Sequence, residues 1–323
     1  MDCHLDGAMF SPDGWTWQDA TYDPDTFAGA EVAGVTGYGS GFVAVGDVFD
    51  PDAGVAHAAV WMSDDGTSWR LATLAAADIG PVLVCEGAEP GFHGGLVQVV
   101  SSGTKLLAMG VALSGKDCAP DATTVLIASD DGQNWQPVEV AGLPDDAFAG
   151  FYSVVGGDEF LLLNVLAPAV WASVDGITWS ASKRAEGKGS FVRGAIFHDG
   201  SKLVYGTRVG RRGGDEQLVW QSTDGTSWPL LSTTPVAAEG EGIAVVTDVD
   251  GTVIAVRSVD TIGGAYDVWA AQTSDDGINW SPPDTAPFNY LQAPLALLTN
   301  GESVLLYGLS VSNNNIMWQA PAN

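Results

Sequence analysis

Apolar and polar positions along the chain fall into short blocks that return in a fixed order. An apolar run is followed by a Gly/Asp/Ser turn, a second apolar run, a variable loop, a third run ending in Ser, and a short segment carrying a Trp. Short runs rich in Val, Leu, Tyr and Thr and bounded by turn residues predict β-strands. The clearest copy places strands at Glu31–Tyr38, Phe42–Gly46, Ala58–Met62 and Trp69–Leu71, with Gly39-Ser40-Gly41 as the first turn. Further copies begin near Leu96, Tyr152, Val192, Ile243 and Leu295. Their second strands include LLAMG (Leu106–Gly110), KLVYG (Lys202–Gly206), TVIAVR (Thr252–Arg257) and SVLLYG (Ser303–Gly308). All but TVIAVR close on Gly, as does FVAVG in the clearest copy. Four strands make one unit.

The segment joining third strand to fourth is nearly invariant. S-x-D-G-x-x-W occurs six times, at Ser11–Trp17, Ser63–Trp69, Ser129–Trp135, Ser173–Trp179, Ser222–Trp228 and Ser274–Trp280. A paired carboxylate such as Asp64-Asp65 could be taken for a reaction centre, but a reaction centre is normally singular and a structural device recurs. Each letter suits a tight turn: Ser and Asp oxygens bond nearby N–H groups, Gly takes a positive φ, and Trp offers an apolar face to a neighbouring sheet. Asp13, Asp65, Asp131, Asp175, Asp224 and Asp276 are therefore expected to be structural.

Successive copies are spaced by about 45 to 65 residues, the length of one propeller blade. The expected fold is all-β: a single domain over 1–323, a six-bladed β-propeller of four-stranded antiparallel blades. The last repeat ends at Ile316-Met317-Trp318-Gln319 without a box, and the first box stands near the N-terminus. After a short lead at 1–8, the box strand at 9–20 is expected to complete the last blade, closing the ring by pairing the chain ends.

Charge narrows the partners. With 12 Lys+Arg against 40 Asp+Glu, the formal net charge is −28. Such a surface repels phosphate backbones and anionic lipid, so nucleic acid is not an expected partner. No apolar run reaches the roughly 18 residues that cross a bilayer, so membrane insertion is not expected. Cys85 and Cys118 fall in two long loops expected on one face of a blade, and they are the expected disulfide, leaving Cys3 free. An oxidising compartment follows. The expected location is extracellular or at the cell surface, with the export signal absent from the sequence given.

The S-x-D-G-x-x-W repeat resembles the Asp-box, or BNR repeat, of the sialidase-like β-propellers. The resemblance spans nearly the whole chain and implies that the boxes lie on the face away from any active site. Catalytic sialidases of this family carry a Phe/Tyr-Arg-Ile-Pro motif and an arginine triad. The nearest string here, Phe191-Val192-Arg193-Gly194, lacks the Ile-Pro. No catalytic residue is assigned.

Ligands of propellers usually bind at the loop face, where innermost strands begin. Glu31, His93, Tyr152, Arg193, Glu241 and Gln292 stand at those starts and form the candidate ligand-binding set. The acidic stretches Asp19–Asp25 and Asp47–Asp52 each contain Asp-Pro-Asp, and calcium at Asp47, Asp50 and Asp52 is a reading beside plain solvated turns; no other cofactor or metal is expected. There is no G-x-S-x-G elbow, and His4, His57, His93 and His198 show no metal-ligand spacing. The leading expectation is a non-catalytic module binding a glycan or protein ligand. A glycoside hydrolase with a sialidase-like fold and a structural module of a larger extracellular assembly are the alternatives.

Overall fold

A computed structural model describes residues 9–10, 18–19, 21–22, 26–52, 55–72, 74, 82–83, 95–114, 121–140, 152–164, 169–181, 190–209, 215–235, 242–262, 266–284, 291–299, 303–310 and 315–321. Among the described residues every regular element is a strand. Strands β1 (Met9–Phe10) and β2 (Gln18–Asp19) pair with each other. The first large sheet contains β3 (Thr21–Tyr22), β4 (Ala30–Tyr38), β5 (Gly41–Asp50), β6 (Val55–Ser63), β7 (Ser68–Leu71) and β8 (Val82–Leu83). In it β4 to β7 form an antiparallel meander, β3 lies parallel to β7, and β8 pairs β6. The second sheet is β9 (Leu96–Ser101), β10 (Leu106–Ser114), β11 (Asp121–Ser129) and β12 (Gln136–Pro137). The third is β13 (Tyr152–Gly156), β14 (Phe160–Asn164), β15 (Ala169–Ser173) and β16 (Ser180–Ala181).

The fourth sheet is β17 (Ser190–His198), β18 (Ser201–Val209), β19 (Asp215–Ser222) and β20 (Leu230–Pro235). The fifth has β21 (Gly242–Val249), β22 (Thr252–Ile262) and β23 (Tyr266–Ser274), with a single further bridge from Ala271 to Asp284. The sixth has β24 (Leu291–Thr299), β25 (Ser303–Ser310) and β26 (Asn315–Pro321). The chain divides into two compact units, Met1–Leu163 with Trp171–Ala181, and Asn164–Val170 with Ser182–Asn323. In the first unit β4, β9 and β13 are neighbours in turn; in the second, β17, β21 and β24 are. First strands therefore stand side by side within each unit. The only ladders described for β1, β2 and β26 are β1–β2 and β25–β26. The pairing of chain ends expected from the sequence is not among them.

Stacking explains the second strands. Phe160, Leu161, Leu162 and Leu163 are all fully buried, as are Leu106, Leu107 and Ala108, so both faces of these strands are covered. Continuous apolar runs are what a doubly covered strand requires. One core cluster joins Val43, Val45, Val60 and Met62 of the first sheet to Leu96, Leu106, Ile127 and Trp135 of the second. Another joins Leu203, Tyr205 and Val219 of the fourth to Ile243, Val253 and Ala255 of the fifth.

The glycine that closes most second strands has a steric cause. First strands carry a β-bulge near their start, between Val32 and Gly34, Val192 and Gly194, and Ile243 and Val245. The residue opposite is Gly46, Gly206 and Arg257 respectively. A Cβ on Gly46 would stand 1.9 Å from the carbonyl oxygen of Glu31, and one on Gly110 2.3 Å from that of Gly95. At Gly46 and Gly110 the bulged backbone lies against the partner strand, where only hydrogen fits, whereas opposite the bulge at Ile243 the partner position holds Arg257.

Strands run further than the apolar runs predict. β5 continues through Asp47, Val48, Phe49 and Asp50, each paired with β6. The stretch read as an acidic loop is thus mostly ladder. Residues three apart on a strand point to opposite faces, so Asp47 and Asp50 cannot grip one ion together.

Candidate functional site

The recurring box proves to be a closed hydrogen-bond unit. Asp65 Oδ1 accepts the N–H groups of Thr67 at 2.8 Å and Ser68 at 2.6 Å, and a hydroxyl bond from Ser63 at 3.2 Å. Ser63 Oγ in turn accepts the N–H of Gly66 at 2.8 Å, and Trp69 Nε1–H donates to the Gly66 carbonyl at 3.0 Å. The two backbone bonds to Oδ1 recur at Asp131, Asp175, Asp224 and Asp276. Each described box glycine has a positive φ, 75° at Gly66 and 72° at Gly132. The first box, with Asp13, lies outside the described residues.

These bonds stabilise the ionised carboxylate. The backbone N–H of Asn134, then its side chain, hold Asp131 down at about 2. At Asp175 burial opposes the shift, but the N–H groups of Thr178 and Ile177 prevail and the carboxyl again sits at about 2. Asp65, Asp224 and Asp276 are held lower still, chiefly by their backbone donors. A carboxylate so committed has little left for general acid–base work at neutral pH. Because its folded pKa lies below the ordinary value, each contributes stability that is complete above roughly pH 5 and fades as pH falls toward about 2. Replacing Asp131 with Asn is expected to flatten the acid limb of the melting profile between about pH 4 and 2. Melts of the variant and the parent across that window are the check, and an unchanged acid limb contradicts the assignment.

The boxes also stitch neighbouring sheets. The hydroxyl of Tyr38, at the end of β4, donates to the backbone oxygen of Asp130 in the second sheet's box. Tyr205 of the fourth sheet donates to the Gly277 carbonyl in the fifth sheet's box at 3.2 Å. Burial first, and then the charges of Asp276 and Asp248, raise the Tyr205 pKa above its ordinary value.

The described members of the predicted ligand set stand toward the opposite ends of the sheets. Glu31 is exposed on β4 and directly faces Asp47 across the ladder. Tyr152 opens β13, Arg193 lies in β17 beside its bulge, and Gln292 lies in β24. His93 and Glu241 lie outside the described residues. Glu31 and Tyr152 fall in the first unit, Arg193 and Gln292 in the second. Of the six, only Glu31 has a described side chain.

Asp47, only 8% exposed, lies at the junction with the second sheet, where a Cβ on Gly95 would meet its Oδ2 at 2.8 Å. Asp50 Oδ1 accepts the N–H of Asp52 at 2.9 Å, an ordinary turn bond. Asp47, Asp50 and Asp52 do not converge, and among the described residues no three His, Cys, Asp or Glu side chains are grouped to hold a metal ion. Cys3, Cys85 and Cys118 lie outside the described residues.

Sequence reading passed over a second polar group at the same end of the sheets. Thr207 of β18 and Gln217 of β19 face each other across the ladder, both buried. They continue the row of Tyr205 and Val219, which packs on the fifth sheet. Arg257 stands opposite Ile243 of that same cluster and two residues beyond Ala255. By strand alternation, Thr207, Gln217 and Arg257 thus share one inter-sheet face. Gln217 Oε1 is buried with no hydrogen-bond partner among the described residues. The legible signal was Arg257, which stands where Gly46, Gly110, Gly206 and Gly308 close other second strands.

No protein-family model matches the chain, and no curated protein matches it. Among solved structures, it is similar to Trypanosoma rangeli sialidase in complex with the inhibitor DANA, with a TM-score of 0.52 and 13% identity over 98% of this chain and 57% of that one. It is also similar to the α-L-arabinofuranosidase Arb93A from Fusarium graminearum, with a TM-score of 0.51 and 13% identity over 91% of this chain and 93% of that one. The chain spans little more than half the length of the sialidase. Identity at this level speaks to fold alone. With its strand-only elements and repeated four-stranded antiparallel sheets, the chain has a sialidase-like β-propeller fold.

Proposed function

We propose that the chain is a non-catalytic glycan-binding propeller of the Asp-box type, acting outside the cell or at its surface. In this reading the six repeats form six blades of one ring, the chain ends close it, and a Cys85–Cys118 disulfide ties two loops of the binding face. The observation that carries it is a division of labour. The box carboxylates are committed to turns, and the opposite sheet ends carry Glu31 and Asp47 in the first unit and Thr207, Gln217 and Arg257 in the second, hydrogen-bonding groups of the kind that meet sugar hydroxyls. The solved structures it resembles include glycosidases, which supports glycans over proteins as the ligand class. The catalytic Phe/Tyr-Arg-Ile-Pro motif has no counterpart in the sequence.

A second reading, a glycoside hydrolase, is favoured by one observation. Glu31 and Asp47 are direct cross-strand partners, and two neighbouring carboxyl groups are the minimal apparatus of glycoside hydrolysis. A panel of sialosides, arabinosides and aryl glycosides separates the two. The expected result is saturable binding without turnover, weakened at least tenfold in Glu31→Gln. Turnover that Glu31→Gln abolishes overturns the non-catalytic reading.

A further inference from the structure

Across the fourth sheet a polar row runs through Thr207 of β18, Gln217 of β19 and Thr234 of β20, each the cross-strand partner of the next. Gln217 is only 4% exposed, Thr207 is buried, and Thr234 at the outer end is exposed. The row two residues nearer the boxes, Tyr205 and Val219, packs on the fifth sheet. There the facing row is Ile243, Arg257 and Ala270, in which Arg257 is half-buried. All of these residues belong to the second unit.

The amide oxygen of Gln217 is the atom without a place in this packing. Oε1 is buried and has no hydrogen-bond partner among the described residues. An amide oxygen can only accept, and a buried acceptor left unmet costs the folded chain its lost hydration. Packing does not require that cost, since Val219 fills the same face two residues along with no polar atom. The row also runs out to exposed Thr234 and lies toward half-buried Arg257, so the unmet oxygen stands close to the surface at the sheet end opposite the boxes.

We propose that Gln217 determines specificity for a neutral sugar, its Oε1 accepting a hydroxyl of the ligand on the face it shares with Thr207 and Arg257. The proposal rests on the glycan-binding reading above and narrows it to one ligand class and one acceptor. A hydroxyl brings the proton that Oε1 lacks and carries no charge. A carboxylate brings no proton, and a chain of net charge −28 repels it.

The test sets Gln217→Met, which keeps the side chain's length and removes its polar atoms, against the parent. Titration calorimetry uses the methyl glycosides of glucose and galactose, and glucuronate and galacturonate. The parent is expected to bind a neutral glycoside at least about tenfold more tightly than the matching uronate, and Gln217→Met to weaken that binding by at least about tenfold. Without ligand, the variant is expected to melt about 2 °C or more above the parent, because an unmet buried acceptor has been removed. A variant that melts at or below the parent shows that the amide is met inside the fold, and overturns the proposal. Unchanged affinity in the variant, or tighter binding of the uronates, also overturns it and leaves the glycan reading standing. A parent that binds none of the four overturns both. Should Gln217→Met fail to fold, a crystal of the parent soaked with the bound glycoside decides. A sugar hydroxyl within hydrogen-bond distance of Oε1 is expected; a water there, with the sugar elsewhere, refutes the assignment.

Discussion

Trp135→Ala is expected to lower stability by about 3 to 5 kcal/mol, the range for emptying a packed aromatic site. Trp135 is 7% exposed and belongs to the cluster that joins the first two sheets, touching a core that includes Val43, Val60, Met62 and Leu106. Its Nε1–H also donates to the Gly132 carbonyl at 2.8 Å. Truncation removes the ring from the inter-sheet core and strands that carbonyl. Phe at this position restores the bulk but not the bond, so Trp135→Phe is expected to lose about 1 kcal/mol. Denaturant unfolding of both variants measures the difference; equal losses would mean that the ring's volume contributes little.

Gly46→Ala is expected to cost at least about 3 kcal/mol, at or beyond the upper end for overpacking. A new Cβ would stand 1.9 Å from the Glu31 carbonyl oxygen and 3.0 Å from the Val32 Cα, both backbone atoms with no rotamer to yield. Relief requires the start of β4 to move, and that segment carries Glu31. The substitution therefore reads out twice: a large loss of stability, and weakened ligand binding in whatever protein still folds. A contrasting variant, Gly39→Asn, has open space around its Cβ and a φ of 60° that Asn tolerates, so its loss is expected to be under about 1 kcal/mol. Similar melting temperatures for the two variants would contradict the bulge as the reason for the glycine.

The sequence made the repeat legible because each of its parts is local. Ser, Asp, Gly and Trp fall within seven residues, and the bonds of Ser63, Asp65 and Trp69 close inside that span. Apolar runs such as Leu106–Met109 marked the doubly covered strands for the same reason. The ligand set was less legible because convergence is a property of strands distant in sequence. Thr207 and Gln217 become neighbours only through the ladder. The calcium reading failed on parity: Asp47 and Asp50 looked like adjacent ligands in a loop, and a strand turns them to opposite faces. His198 is a similar case, because its partners at Asp248 and Asp275 lie in another sheet and no spacing in the sequence points to them.

The low pKa values of the box aspartates also shape how the molecule carries its charge. The chain has 40 acidic residues, and in moderately acid solution those with ordinary values become neutral while the 12 Lys and Arg stay positive. The box carboxylates keep their charge to lower pH than an ordinary carboxyl, so within each unit the sheet ends that bear them hold negative charge while the Lys and Arg side chains stay positive. Around pH 3 a cationic resin or mineral would meet its opposite charge at the box turns of either unit.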